Sequence, residues 1–484
     1  MENCALYPPI GKAKAKDSLL SVERQPWMGI AYFSFAVSVL LAILSCRCLY
    51  ADGAHEFIKV LQAQNFVSLM WSRHFAFYLF EFPLVLAIKA GVTNLSLLRL
   101  AFGIGCFLPW PLALMSCRWL APQHLWIVAL ACAAGYLNTA FMAVGEHIIA
   151  HAFFWPPLFA ILFARPLRPS AAALLLASAT VLLFSYESQL LLCALLAALC
   201  LWRMGEEARA GTLQSMPLWQ TGVWLLATSL FITGSAIGFY AVLNPELPVN
   251  FEGFRANATG LIFHLGWTAT WTIVFVCLML AAVWRPRVWT MLTERLAIAI
   301  EVVALVLWGT WPLLMPDQLD TARQYDNRAL DVLAPIVLLP LALRLKYRPA
   351  WAAQTRKQLV RMTALLLAVQ SVWHLCATWQ WHQDVRRLQT VLNNGSGPIP
   401  LHSTILGGDS MESRRGDFDW AWPCLSIALN PGGHIKAMVC AEPYMDVKIH
   451  PWQPFQPERA ETLPDLRHFG IDFSNYISTI PSVN

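Results

Sequence analysis

The chain is predicted to be an all-α polytopic membrane protein, and three observations predict it. Of its 484 residues 57% are hydrophobic and 13% charged, and the mean hydropathy is +0.51, too apolar for a soluble chain of this length. The apolar residues fall into runs long enough to cross a bilayer. Many of the 22 tryptophans stand at the ends of those runs (Trp27, Trp110, Trp126, Trp202, Trp284, Trp351, Trp379), where an interfacial belt places them. The net charge of +5 follows from topology, so no nucleic-acid partner is expected.

Residues 1–27 read as a polar cytoplasmic tail, with Lys12, Lys14 and Lys16 ahead of the first apolar run. No small-residue cleavage site follows that run, so residues 28–46 are expected to stay as the first span. A first outer loop, 47–96, comes next. Its second half is apolar, but Glu81, Pro83 and Lys89 point to a helix lying on the surface rather than crossing. Further spans are expected near 97–116, 123–143, 151–164, 171–185, 189–202, 219–243, 261–284, 297–315, 330–345 and 362–380, about eleven in all. The two near 171–202 are short enough to be tilted or re-entrant.

This partition places 18 of the 34 basic residues on the inner side and 8 on the outer, with 8 more in the C-terminal tail, as the positive-inside rule requires. The odd number of spans sends 381–484 to the outer face. Turn signals at 393–398, 407–408 and 431–433 break that tail into short runs, which read as a small, β-containing or α/β extracytoplasmic domain. The domains are therefore a tail (1–27), a membrane domain (28–380) and an outer C-terminal domain (381–484).

Ten of the 12 cysteines lie in or beside apolar runs or in the N-terminal tail and read as small apolar fillers. Cys424 and Cys440 flank the turn at Asn430 to His434 in the outer tail. They are expected to lie on two short strands and to form a disulfide if that region faces an oxidising compartment.

The outer ends of the spans hold the candidate chemistry. Asp52 and Glu56 follow the first span: either they supply a proton acceptor at the membrane edge, or they mark the water side of a helix end. Glu146, His147 and His151 follow the third span. The two histidines share a helix face, as a metal pair would, or are simply hydrogen-bonded. For Glu187 a pore-lining or structural role weighs equally with a catalytic one. Arg328, at the mouth of the tenth span, suits a lipid-linked phosphate, with pairing to Asp326 or Asp331 as the alternative. Arg255 is a second candidate for the same anion.

The order of these parts resembles the GT-C superfamily of integral membrane glycosyltransferases. The resemblance rests on the first span, Asp52 in the first outer loop, the juxtamembrane helix around Phe80 to Pro83, Arg99 opening the second span, Glu146 after the third, and Tyr325 to Arg328 leading into a span that contains Pro335. It covers most of 28–380. The chain departs from the family pattern in having Glu56 four residues from Asp52 rather than a directly paired acid, and Glu146 in place of an aspartate.

The resemblance implies an inverting transferase with a polyprenyl-phosphate sugar as donor and a glycan, lipid or protein as acceptor. It would work on the periplasmic side of a bacterial inner membrane. Asp52 would be the general base, Glu56 and Glu146 would position the acceptor or a divalent metal ion, and Arg328 with Arg255 would hold the donor phosphate. Two alternatives stand beside it: an enzyme that moves a whole glycan, like an oligosaccharyltransferase or O-antigen ligase, and a transporter or flippase for a lipid-linked sugar.

Overall fold

A computed structural model describes residues 26–50, 52–68, 70–134, 145–211, 216–244, 335, 338–339, 342–343, 346, 349–401, 421–430, 433–440, 455–457 and 459–480. Arg255, Arg328 and the spans expected at 261–284 and 297–315 lie outside the described residues. The described part is mostly helical: α1 (Pro26–Leu44), α2 (Asp52–Ala63), α3 (His74–Lys89), α4 (Leu95–Phe107), α5 (Pro109–Leu120), α6 (Leu125–Ala134), α7 (Glu146–Phe163), α8 (Pro169–Leu183), α9 (Gln189–Arg209), α10 (Leu218–Leu243) and α11 (Pro349–Asn394). After these come β1 (Gly397–Pro400), α12 (Trp422–Ala428), β2 (Ala437–Cys440) and α13 (Ser474–Ile477).

Among the described residues α1, α7, α9 and α10 are each long and apolar enough to cross a membrane. Together α4 and α5 make a fifth candidate, bent by 47°. The run expected as a span at 97–116 is thus made of two helices that meet at Leu108. The reason is local: Pro109 and Pro111 open α5, so their missing N–H groups and rigid rings favour a new helix start over continuation of the old one. At the other end of α4, Asn94 caps the helix by accepting from the N–H groups of Ser96 (3.0 Å) and Leu97 (3.1 Å).

Contacts between distant residues show which ends of the helices lie together. The indole N–H of Trp381 donates to the Ser45 carbonyl at 3.0 Å. Arg47 donates to the His374 carbonyl and the Thr378 hydroxyl, both at 3.1 Å, while Trp27 and Ile30 at the start of α1 face Arg361 to Ala368, so α1 and α11 run parallel. The Phe75 N–H donates to the Phe184 carbonyl at 2.9 Å, which joins the start of α3 to the turn between α8 and α9. At the opposite end of the bundle His124, before α6, stacks on Phe163 at the close of α7.

Helix α11 is 46 residues long, roughly 70 Å at 1.5 Å per residue. It packs along α1 and then runs on to β1, which pairs in parallel with β2 from Gly397↔Ala437 to Pro400↔Cys440. Helix α12 packs on β2 and also on α2. The C-terminal elements thus form a cap at the end of the bundle that carries the first loop.

The apolar run before the turn at Asn430 folds as α12, not as the strand expected there; a short apolar run has no period that separates the two states. The two cysteines do not form the expected disulfide. Cys424 lies on α12, where its environment includes Lys59 and Glu56 of α2, whereas the Cys440 thiol closes β2 against the Met438 carbonyl.

Candidate functional site

The first loop is held between bundle and cap. A short 3-10 turn, Arg47–Leu49, leads out of α1, and Asp52 is the first residue of α2. On α2 the side chains of Phe57, Ile58, Val60 and Leu61 are buried. The Phe57 ring lies 5.6 Å from that of Phe102, which lies 6.0 Å from that of Phe80. Each such burial is worth roughly 1.5–3 kcal/mol where the alternative is water. These contacts fix the helix that carries the acids. Asp52 is half-buried, whereas Glu56, one turn on, is 3% exposed. Glu56 lies against His55 Nδ1 at 3.1 Å, and its Oε2 has no hydrogen bond among the described residues. Burial lowers the amine of Lys59, partly offset by the Glu56 charge.

On α3, Glu81 is fully buried and accepts from the Val67 N–H at 2.9 Å, while its Oε1 has no hydrogen bond among the described residues. Burial raises its carboxyl to about 9; the Val67 bond works against that rise and the Glu56 charge adds to it. Helix α3 has 16 residues, and Phe80 meets α4 at Gly105.

The strongest ionic contact at this end is one for which the sequence offered little signal. Arg73, in the turn before α3, contacts Glu187 Oε1 through Nη2 at 2.8 Å and through Nε at 2.9 Å. Its Nη1 reaches Glu146 Oε1 at 3.2 Å, and its guanidinium lies over the Tyr186 ring, 4.7 Å from the centroid. Burial works against the Arg73 charge, but Glu187 and Glu146 outweigh it and hold the pKa above the ordinary arginine value. Beside this group the Trp71 and Tyr240 rings lie 5.7 Å apart, so α10 joins the same end.

Among the described residues the metal set suggested by Glu146, His147 and His151 is not gathered around one point. Glu146 turns to Arg73, while His147 and His151 are buried with ring centroids 6.3 Å apart. His147 also packs on Tyr186, at 5.8 Å. Among the described residues no group of three His, Cys, Asp or Glu side chains is placed to hold a metal ion.

No family model, curated protein or solved structure matches the chain. Its function must be argued from the site alone. Of the expected site residues, Asp52, Glu56 and Glu146 lie at the capped end, Glu56 covered and Glu146 tied to Arg73. The sequence offered two hints of Arg73 and Glu187: each is an ionisable group at the outer end of an apolar run. Nothing in it announced their pairing across 114 residues.

Proposed function

We propose that the chain is an inverting membrane glycosyltransferase of the GT-C kind, taking a sugar from a polyprenyl phosphate and passing it to a glycan, lipid or protein acceptor. The observation that carries the reading is the placement of Asp52. It is a half-buried residue in the first turn of a helix fixed between bundle and cap; in this reading a lipid-borne donor reaches it from the membrane edge. In the proposed step the Asp52 carboxylate takes the proton of the acceptor hydroxyl while that oxygen bonds to the anomeric carbon. The bond from that carbon to the phosphate oxygen breaks, and polyprenyl phosphate leaves. Arg328 and Arg255 are assigned to the phosphate, whose charge grows as the bond breaks.

Glu146 is assigned to positioning the acceptor, with Arg73 holding its carboxylate. Glu56, being covered, supports the fold behind Asp52 rather than touching substrate. The capped end would face the periplasm of a bacterial inner membrane.

The test is to supply the purified protein, reconstituted in vesicles, with candidate polyprenyl-phosphate sugars. Polyprenyl phosphate released together with a glycosylated product is expected. Movement of the intact lipid-linked sugar across the bilayer without cleavage would replace this reading with transport.

A further inference from the structure

We propose that the furrow between α1 and α11, at the end of the bundle away from the cap, binds an anionic glycerophospholipid with an acyl chain in the furrow and the phosphate on Arg361. The cavity holds about 500 Å³ and is lined by Trp27, Ile30, Arg361, Ala364, Leu365 and Ala368. That volume falls within the roughly 300–1,000 Å³ of small-molecule sites. Its origin lies in the residue sizes. Ala364 and Ala368, one turn apart on α11, leave a channel beside the larger Leu365, and Trp27 and Ile30 of α1 form the facing wall. Trp27 is 60% and Ile30 55% exposed, so the channel opens sideways, as a lipid-filled one must. Among the described residues Arg361 is the one charged residue that lines it, and none of them forms an ion pair with it.

Depth supports the same occupant. Arg361 precedes Trp381, which bonds to the far end of α1, by 20 residues of continuous helix, about 30 Å and thus about one hydrocarbon thickness. The guanidinium therefore stands at one bilayer boundary, with Trp27 as an interfacial aromatic beside it. A basic group at the mouth of an interhelical pocket at that depth suits an anionic headgroup. This inference does not depend on the transfer reaction.

The test measures thermal unfolding of the delipidated full chain in neutral detergent, titrated with phosphatidylglycerol, phosphatidylcholine or soluble glycerol phosphate. A saturable rise with phosphatidylglycerol is expected, with little from phosphatidylcholine and none from glycerol phosphate. Arg361→Ala should weaken the phosphatidylglycerol response about fivefold or more. Ala368→Phe, which fills the furrow and leaves the charge, should also abolish saturation. Equal responses to the two lipids, an effect of glycerol phosphate alone, or unchanged responses in both variants would each overturn the proposal. So would a response that appears only after residues 1–24 are removed, since the tail would then be the occupant.

Discussion

Arg73 gathers two carboxylates from separate parts of the chain, and removing it leaves them facing each other with little solvent to screen them: the Glu146 and Glu187 side chains are 14% and 20% exposed. Breaking a buried pair on one side costs about 3–5 kcal/mol, so Arg73→Ala is expected to destabilise by about 3 kcal/mol. Adding Glu187→Gln should recover part of that loss. Chemical unfolding in detergent checks both variants, and a double variant whose losses simply add would show that the three groups do not act together.

Glu81 gives a pH signature. In the unfolded chain its carboxyl ionises near 4.3, whereas in the folded protein burial holds it to about 9. Between those values the folded state keeps a proton that the unfolded state has lost. Its contribution to stability is therefore complete below about pH 4.3, declines as pH rises, and is gone above about pH 9. Glu81→Gln keeps an acceptor for the Val67 N–H but cannot ionise. Its thermal midpoint should fall less between pH 6 and 9 than that of the wild type; parallel curves would contradict the assignment.

At the level of elements, the crossing of α3 and α4 rests on Gly105. A Cβ there would collide with the Phe80 carbonyl oxygen, which is backbone and cannot swing aside. Gly105→Ala is therefore expected to cost about 1–3 kcal/mol, the usual range for overpacking. Gly29→Ala, where nothing lies within 4 Å of the added carbon, should leave the midpoint unchanged or raise it slightly through helix propensity. Equal effects of the two would show that helix propensity, not the crossing, matters at Gly105.

Element boundaries were legible where apolar periodicity and length decide them. The first span and the runs at 171–185 and 219–243 fall within two residues of α1, α8 and α10 at each end. Helix α7 starts five residues before the run expected at 151, because Glu146 and His147 are polar yet folded into the helix and buried or bonded there. Helix α9 runs seven residues past 202 because Arg203, Glu206 and Glu207 pair along it and with Arg165 and Lys346. Such pairings depend on which segments meet, and apolar patterning carries no record of that.

For the whole molecule, composition decided the membrane class, and the helix-rich bundle with spans of bilayer length agrees with it. The position of the cap was only half legible. Turn signals marked small elements after 393, but the parallel pairing of β1 with β2 joins segments about 40 residues apart in sequence, and pairing at that separation leaves no local pattern. The same holds for the site. The acids stood out because charge is rare in this chain, whereas their partners did not: the Arg73 contacts and the covering of Glu56 exist only once first loop, bundle and cap have packed.

Asp52 carries the proposed proton transfer. The most direct measurement is the release of polyprenyl phosphate by the wild type and by Asp52→Asn, reconstituted side by side with a donor the wild type uses. Asparagine keeps the size and most of the hydrogen bonding but cannot take a proton. Turnover is expected to fall roughly 10²–10⁴-fold with insertion, folding and donor binding retained; turnover near that of the wild type would show that Asp52 only marks a helix end and is not the base.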